Sequence, residues 1–543
     1  MDLIQEISQV FSRYKEKAAT SHYVPPNSLM TLTYGQLEER VREIADGLLK
    51  QGMQPGDLVM CYMTKSLEMV VSILAVLLTG GVCSSFYAKQ NAQYSLKLFS
   101  IAHPRFLVLD EGTLRNVKKS MKTTGSNNRY PVSMKYPEWE GIDFWQHDSE
   151  KKIYVLNDPM GNNDTGREVS ATDPYLNDAA WCLFTSGSTG VPKGVLISRE
   201  DLLRRAMTEI EDYKLADQDS LLSLLPFSFD VGLNQLLSCL LSGAHLVILN
   251  SWFPRDVLTA IRSRNITGIS GVPSIWADLI AYPKEPDFEQ SVYTLRYITV
   301  SGGDLAKNQL VQLRQYFRDL KIYKTYGQTE TFRSSMLRPF DFERKMTSVG
   351  RPIKGTEVVV LNERGEIAPP HTEGEIVHYG VGTMLGYLAD SKGTSEKLRK
   401  MKEPGSKTMK EGKWVFTGDR GKMDEEGYLY VLGREDGMIK TLGHRVYPKE
   451  IEGCILEHGD VKNAAVIGIK DEHKGQAIIA EVVGDGALTK QSLIVHLKDR
   501  LPYYMIPAEI NIVEHLPMTE NGKIKYAAIK ERYEERRILR DRT

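Results

Sequence analysis

The chain has 543 residues, 41% of them hydrophobic and 26% charged. That is enough for more than one domain around a large core, with the composition of an ordinary globular protein. Lys and Arg number 69 against 70 Asp and Glu, a net charge of −1, which excludes recruitment of nucleic acid or a membrane surface by a global field.

Five cysteines (Cys61, Cys83, Cys182, Cys239, Cys454) are scattered without a C-x-x-C pair. They read as small buried hydrophobes in a reducing compartment. The N-terminus, Met1-Asp2-Leu3-Ile4-Gln5-Glu6, is acidic and lacks the apolar core of a signal peptide. The most hydrophobic stretch, Met69 to Val82, is too short to span a bilayer and carries Ser72, Thr79 and two glycines. It is expected as a buried helix, and the protein as cytoplasmic.

In chain order, residues 1–56 read as helical and amphipathic, with Thr33-Tyr34-Gly35-Gln36-Leu37 opening a helix before the turn at Gln54-Pro55-Gly56. Strands and helices then alternate: a strand at Leu58–Met63, a helix at Ser66–Leu78, a strand at Phe106–Leu109. Between about Asn116 and Asp178 the pattern thins into Lys, Asn, Ser, Gly and Asp, the texture of a surface excursion.

Next comes a dense stretch, Leu183-Phe184-Thr185-Ser186-Gly187-Ser188-Thr189-Gly190-Val191-Pro192-Lys193-Gly194-Val195. From Thr185 to Val195 it holds three glycines, four hydroxyls and one lysine. Glycines let backbone N–H groups turn toward an anion, hydroxyls donate further bonds, and lysine adds positive charge. The chemistry indicated is a grip on a polyphosphate. It is not a Walker loop, because Gly194 follows Lys193 and a helix starts only later, at the Ser198-x-x-Asp201 capping pattern. The plain alternative is a Gly/Ser/Thr hairpin turn.

The rhythm resumes with Leu221–Leu225, a helix near Leu233–Leu241, His245–Leu249, a helix after Pro254, Arg296–Val300, a helix at Leu305–Phe317 and a strand at Lys321–Lys324. Short apolar runs alternating with helical periods predict mostly parallel sheets covered by helices. After Val349-Gly350-Arg351-Pro352 the chain becomes β-rich and hairpin-like at Glu357–Leu361, Gly374–Tyr379, Trp414–Thr417 and Tyr428–Leu432. A boundary is expected at Gly433-Arg434-Glu435-Asp436-Gly437. Beyond it lie a helix from Pro448 to His458, strands at Ala464–Ile469 and Ile478–Val483, and a helix at Thr489–Arg500. The predicted class is α/β: a large N-terminal domain (1–433) with a β-rich subdomain, a hinge (434–437), and a small α+β C-terminal domain (438–543).

Four further stretches carry chemistry. Tyr326-Gly327-Gln328-Thr329-Glu330-Thr331 follows a strand, where open α/β sheets bind ligands. Its ring can stack on a base, its threonine can hold a phosphate and its carboxylate can hold Mg²⁺; a capped helix start is the plain alternative. Thr417-Gly418-Asp419 ends a strand, and an aspartate after glycine is also a common turn. Met438-Ile439-Lys440-Thr441-Leu442-Gly443-His444-Arg445 reads by itself as a β-turn with a basic rim. Pro517-Met518-Thr519-Glu520-Asn521-Gly522-Lys523-Ile524 contains an Asn-Gly hairpin turn with a lysine beside it.

Together and in this order, from Thr33 to Lys523, these stretches resemble the motifs of the adenylate-forming superfamily: acyl- and aryl-CoA synthetases, nonribosomal-peptide adenylation domains and firefly-type luciferases. The resemblance implies that ATP is bound and a carboxylic acid is converted to an acyl-AMP, with a thiol attacking afterwards. It implies a triphosphate grip by Ser186, Gly187, Ser188, Thr189 and Gly190, with Thr185 and Lys193 as catalytic groups. Gly303, Asp304, Tyr326, Gly327 and Thr329 fall beside adenine and phosphate, and Glu330 on magnesium. Asp419 and Arg434 fall on the ribose, Asp436 at the hinge, and Lys440 and Gly443 on a thiol tunnel used after the small domain rotates. Lys523 is implied on the carboxylate and α-phosphate, where a cation would stabilise developing charge.

By the same resemblance the acid pocket runs along Phe227-Ser228-Phe229-Asp230-Val231-Gly232-Leu233-Asn234. Asp230 matches the aspartate that pairs with a substrate ammonium in amino-acid-activating members; a structural aspartate capping the following helix is the alternative. Val231, Asn234, Ser270, Thr299, Ser301, Thr325, Arg333 and Ser334 complete a polar lining. Arg333 is open to a second substrate carboxylate or to a protein salt bridge. The expected substrate is a small polar amino acid or a β-amino acid, loaded onto a separate phosphopantetheinylated carrier protein; an AMP-forming CoA ligase for a small acid is the alternative. A non-catalytic nucleotide-binding relative is a third reading, opposed by the intact Lys193, Glu330, Asp419, Arg434 and Lys523. Two departures matter: Gln328 stands where peptide-synthetase domains carry proline, and Lys324 where a small polar residue often helps position adenine. The chain stops soon after Lys523, so a carrier is expected as a separate protein, one that the basic tail Lys523–Thr543 could meet.

Overall fold

The computed structural model describes residues 2–25, 28–87, 92–123, 140–143, 152–157, 173–185, 192–283, 292–401, 412–435, 437–441, 444–471, 475–519 and 522–540. Among them the strands form four sheets. In the nine-stranded sheet six neighbours run parallel: Lys321–Tyr326, Tyr297–Val300, Gly268–Gly271, Ser220–Ser223, His245–Leu249 and Ala18–Val24. Short antiparallel strands close both edges. An eight-stranded sheet carries a parallel centre of Ala179–Thr185, Val82–Tyr87, Leu58–Met63 and Phe106–Asp110. The predicted helix-covered, mostly parallel architecture is therefore present.

Between these sheets lies the helix Leu67–Leu78. Eleven of its residues are buried, because both its faces meet strands of one shared core. That continuous burial accounts for an apolar run without a polar stripe. No helix among the described residues is long and apolar enough to cross a membrane. All five cysteines are free and buried, as expected.

Just before this helix, Lys65 is buried, with Nζ donating to the carbonyls of Ser223, Leu224, Leu225 and Leu249 over 2.8–3.4 Å. It therefore clamps the C-terminal ends of two parallel strands, the edge from which the site loops emerge.

Two expectations are corrected. Residues 1–56 are not all helical: after the helix Leu3–Arg13 the chain forms the paired strands Ala18–Val24 and Ser28–Thr33. Their pairing is decided by docking against His245–Leu249, over 200 residues away, which no local period reveals. The stretch from Asn116 to Asp178 is not only an excursion, since Lys152–Asn157 pairs with Phe106–Asp110 and Glu140–Asp143 pairs with it in turn.

The β-rich region after Arg351 is an antiparallel sheet centred on Gly374–Gly380 and Trp414–Met423. Residues from Ile439 onward make a separate sheet, Val461–Asp471 against Gly475–Gly484 at its centre, with its own cores. The terminal turn holding Lys523 approaches the large sheet. Gly522, at φ +70°, lies so near that an added Cβ would sit 2.5 Å from Ser274 Oγ and 3.1 Å from the Trp252 ring.

Candidate active site

The strand Lys321–Tyr326 ends at the edge clamped by Lys65 and delivers Tyr326 into a polar cluster. The Tyr326 hydroxyl donates to Asp419 Oδ2 at 2.7 Å, and Gln328 Nε2 donates to the same oxygen at 2.8 Å and to the Thr417 carbonyl at 3.0 Å. Arg434 Nη1 stands 3.6 Å from the other carboxylate oxygen, Oδ1. Asp419 and Arg434 are fifteen positions apart, yet they are direct cross-strand partners in the antiparallel pair Trp414–Met423 and Leu429–Arg434. Burial, then the Asp419 charge, pushes the Tyr326 phenol well above its ordinary range, so it stays protonated and donates. Lys397, on the helix Ser391–Lys397, donates to the Thr417 carbonyl at 2.8 Å. Its burial lowers its pKa, partly opposed by the charge of Glu330.

A second group surrounds the base of the glycine-rich loop. Thr185 and Lys193 face each other in register across the antiparallel hairpin of Ala179–Thr185 and Lys193–Ser198. Lys193 Nζ lies 3.0 Å from Asp390 and 4.7 Å above the Tyr387 ring. The Tyr387 hydroxyl in turn donates to Glu330 Oε1 at 2.7 Å. Lys193, Tyr387 and Glu330 thereby form one connected side of the site, with a cation and a carboxylate held apart by a ring.

Between these groups and the terminal turn lies a small cavity walled by Phe229, Asp230, Val231, Ser301, Gly302, Thr325, Gly327, Gln328, Thr329, Phe332, Arg333 and Lys523. Lys523 Nζ sits 5.1 Å from the centre of the Phe229 ring. Gly302 permits that approach: at φ +74° it tolerates the left-handed backbone, and a Cβ there would come within 2.8 Å of Phe229 and 3.3 Å of Lys523 Cε. Asp230 opens the helix Asp230–Leu241 as its first residue, not as its cap, and accepts from the Val231 N–H at 2.9 Å. Among the described residues it makes no ion pair. Burial raises its carboxyl pKa, a shift opposed first by the charge of Lys523.

Arg333 answers the question its sequence left open. It is buried and ion-paired with Glu209 at 2.9 Å, while Glu209 also accepts from Ser238 at 3.1 Å and from Asn234. The salt bridge uses Nη2, and Arg333 also stands in the cavity wall. Ser301 and Thr325 share a hydrogen bond of 2.7 Å, and Thr299 lies behind Ser301 at 3.2 Å. Ser334 bonds Thr331 at 3.0 Å. Of the predicted acid-pocket residues, Ser270, Thr299 and Ser334 are buried outside the cavity wall, and Asn234 lines an adjoining one. Asp304, beside Gly303, pairs at 2.7 Å with the fully buried Lys324, which also donates to the Met346 carbonyl at 3.3 Å. Lys440 lies on the short strand Ile439–Thr441. Ser186, Gly187, Ser188, Thr189, Gly190, Asp436 and Gly443 lie outside the described residues. The sequence reading missed Lys397, Tyr387, Asp390, Arg205, Glu209 and Phe332. Phe332 adjoins the Tyr326–Thr331 stretch and was overlooked there; the others sit where no local pattern carries a signal, and folding alone brings them to the site.

Residues 8–388 match the family described as AMP-binding enzyme, and residues 450–523 match the AMP-binding enzyme C-terminal domain. Bacitracin synthase 3 of Bacillus licheniformis is 28% identical over 97% of the chain, which spans only 8% of that relative's length. The 2-succinylbenzoate–CoA ligase of Bacillus cereus is 27% identical, over 93% of this chain and 94% of the ligase. The fold is shared with ATP-bound MatB from Rhodopseudomonas palustris (TM-score 0.78, 23% identity, 98% of this chain and 99% of that one). It is shared too with o-succinylbenzoate CoA synthetase, MenE, of Bacillus subtilis in complex with its acyl-adenylate (0.75, 24%, 97% of each chain). With both family matches in sequence order along one chain, the protein belongs to the AMP-binding, adenylate-forming enzymes, which use ATP to activate a carboxylic acid as its acyl-AMP.

Proposed function

We propose that the acid is an amino acid, a small polar α- or β-amino acid, and that its acyl group passes to the phosphopantetheine thiol of a separate carrier protein. The observation that carries this reading is Asp230: a buried carboxylate in the same cavity as Lys523, without an ion-pair partner among the described residues. A buried charge calls for a partner, and the ammonium of an amino acid supplies one.

In the first step a carboxylate oxygen of the substrate attacks the α-phosphorus of ATP, and the α–β phosphoanhydride bond breaks to release pyrophosphate. Lys523, in the cavity wall, meets the negative charge that builds on the α-phosphate and the incoming carboxylate. Tyr326 presents its ring to the base, its plane fixed by the bond to Asp419. Asp419 keeps Oδ1, beside Arg434, for the ribose hydroxyls. Lys193, Thr185 and the loop Ser186 to Gly190 grip the triphosphate. Glu330, with the Thr329 hydroxyl, offers the hard oxygen donors that suit Mg²⁺, which would neutralise phosphate charge. In the second step the thiolate attacks the acyl carbon and AMP leaves. Rotation of the small domain about Asp436 would exchange Lys523 for the segment around Lys440 and Gly443.

The test is ATP–pyrophosphate exchange across α-amino, β-amino and simple acids, followed by transfer to holo-carrier protein or to CoA. Exchange that needs the amino group and disappears in Asp230→Asn is the expected result; exchange with the deaminated acids at full rate would sink the reading. A second reading, a CoA ligase for a small acid, is favoured by Gln328 and by the nearly end-to-end match to a CoA ligase. Efficient thioester formation with CoA and none with carrier would establish it.

A further inference from the structure

In the small domain, Cys454, Glu457 and His496 offer one sulfur, one carboxylate oxygen and one ring nitrogen, all within 4.8 Å of one another. None of the three walls the acid cavity. Cys454 lies on the helix Pro448–Leu456 and Glu457 caps its C-terminal end, while His496 comes from the helix Lys490–Lys498 packed against it. Residues three apart on a helix share a face, so Cys454 and Glu457 both reach His496. Among the described residues no other group of three such side chains gathers so closely.

Each of the three is disposed as a ligand. His496 Nε2 donates to the Cys454 carbonyl at 3.0 Å, which fixes the ring against the first helix. A neutral imidazole that donates from one nitrogen keeps a lone pair on the other, the arrangement of a metal-ligating histidine. The His458 ring packs edge-on against it, 5.2 Å between centres, with its own Nδ1 accepting from the Asp460 N–H at 3.3 Å. Cys454 is 8% exposed, whereas the other four cysteines are wholly buried, so it is the thiol that an ion can reach. Glu457 pairs with Arg500 at 3.8 Å, both side chains nearly half exposed, a pairing worth little in water.

Donor chemistry decides which ion suits. Thiolate and imidazole favour Zn²⁺ or Co²⁺ over Mg²⁺, which takes oxygen. Ligand atoms around a tetrahedral zinc stand roughly 3.3–3.8 Å apart. The three atoms therefore need to draw in by about 1 Å, which rotation of the exposed Glu457 side chain and of the Cys454 sulfur supplies. On binding, the Cys454 thiol becomes a thiolate and its proton goes to solvent; thiolate and carboxylate together then neutralise the ion. Water fills the fourth position.

We infer that Cys454, Glu457 and His496 form a binding site for a zinc-like divalent cation on the small domain, separate from the magnesium position proposed at Glu330. The site adjoins the junction between the domains: Leu456, between its two ligands on the first helix, accepts at its carbonyl from Asn308 of the large domain.

The test is titration of the chelator-treated full-length protein with Co²⁺, read by absorption. One equivalent per chain should give a near-ultraviolet thiolate-to-cobalt band, with Kd on the order of 1 µM or below. Zn²⁺ should abolish the band, and about a hundredfold excess of Mg²⁺ should leave it. Cys454→Ser should lose it outright. His496→Gln should weaken binding by about 100-fold or more, since losing a partner behind a ligand already costs about 10- to 100-fold. Glu457→Gln, at an exposed position with no risk to folding, should weaken it as well, and thermal melts show that the other two variants are folded. Absence of the band, a band that survives in Cys454→Ser, or displacement by Mg²⁺ overturns the site. Binding at millimolar Co²⁺ alone would mean an adventitious ion only.

Discussion

Asp419 and Glu209 are both buried carboxylates with three side-chain partners each, and the contrast between them separates a binding group from a clamp. Around Asp419 one oxygen takes Tyr326 and Gln328, while the cation Arg434 stands off at 3.6 Å with half of its side chain exposed. Around Glu209 both oxygens are engaged, and Arg333 closes to 2.9 Å with almost no exposure. Asp419 retains capacity for a ligand; Glu209 has spent its own on the protein. On the reading proposed above, the nucleotide side is built to exchange partners, and the wall behind the acid pocket is built to keep them.

The sharpest way to break that contrast is to remove the clamp. Glu209→Leu should lower folding stability by about 3–5 kcal/mol, because it leaves Arg333 charged and buried without its partner. The double variant Glu209→Leu with Arg333→Met should recover most of the loss in denaturant unfolding. Parent-like unfolding of the single variant would show that Glu209 is no clamp. Next in size is Lys523→Ala, with pyrophosphate exchange expected to fall by about 10²–10³, the scale for removing one group that meets transition-state charge. Thioester formation from supplied acyl-AMP should be spared; equal losses in both half-reactions would refute the assignment.

Lys523 has its own anchor three residues on. Tyr526 donates to Glu452 Oε1 at 3.0 Å, and Glu452, buried in the small domain, also accepts from the Val466 N–H at 2.8 Å. Burial pushes its carboxyl from 4.5 up to about 7, against both hydrogen bonds. The folded state thus holds a proton that the unfolded chain releases near 4.5, so this contribution to stability is complete at lower pH and is lost as pH rises through 7. The full loss is about 3–4 kcal/mol. Glu452→Gln should flatten the melting temperature between pH 5 and pH 8; an unchanged slope in the variant would exclude Glu452 as its source.

Which parts of this were legible in the sequence follows from how each contact is made. Tyr326, Glu330, Asp419 and Arg434 lie within short stretches of special composition. Tyr326 and Arg434 end strands and Glu330 follows one. Asp419 does not end its strand as expected, since Trp414–Met423 runs on past it and pairing brings it against Arg434. The alternation of short apolar runs with helical periods likewise gave the class of sheet. Glu209 and Arg205 were not legible: they lie inside Arg199–Tyr213, where acidic and basic residues read as a solvated helix face. Only the packing of that helix against Asp230–Leu241 turns them inward. Arg333 could be read either way for the same reason, since its partner is 124 positions distant. The strands Ala18–Val24 and Ser28–Thr33 were missed because a helical reading of their flanks was stronger than their own alternation.

On the nucleotide side the expected effects are smaller, since its groups share the work. Asp419→Ala removes a charged acceptor and should raise KM for ATP by about 10- to 100-fold, on the scale of hydrogen bonds to charged groups, with KM for the acid nearly unchanged. An equal rise in both constants would mean a collapsed site in place of a lost contact.

Gln328 gives the finest test. Its amide nitrogen holds Asp419 and the Thr417 carbonyl, while its own Oε1 is buried with no partner among the described residues. Gln328→Leu therefore deletes one useful donor and one costly acceptor together, and the two should nearly cancel in stability. They do not cancel in binding. Asp419 loses one of the two donors on Oδ2 and with it part of its fixed orientation, so KM for ATP should rise about fivefold, the scale of one neutral hydrogen bond, while the melt stays near that of the parent. A fall in melting temperature with KM for ATP unaltered would make Gln328 a clamp of the same kind as Glu209, and the division between the two regions would then no longer hold.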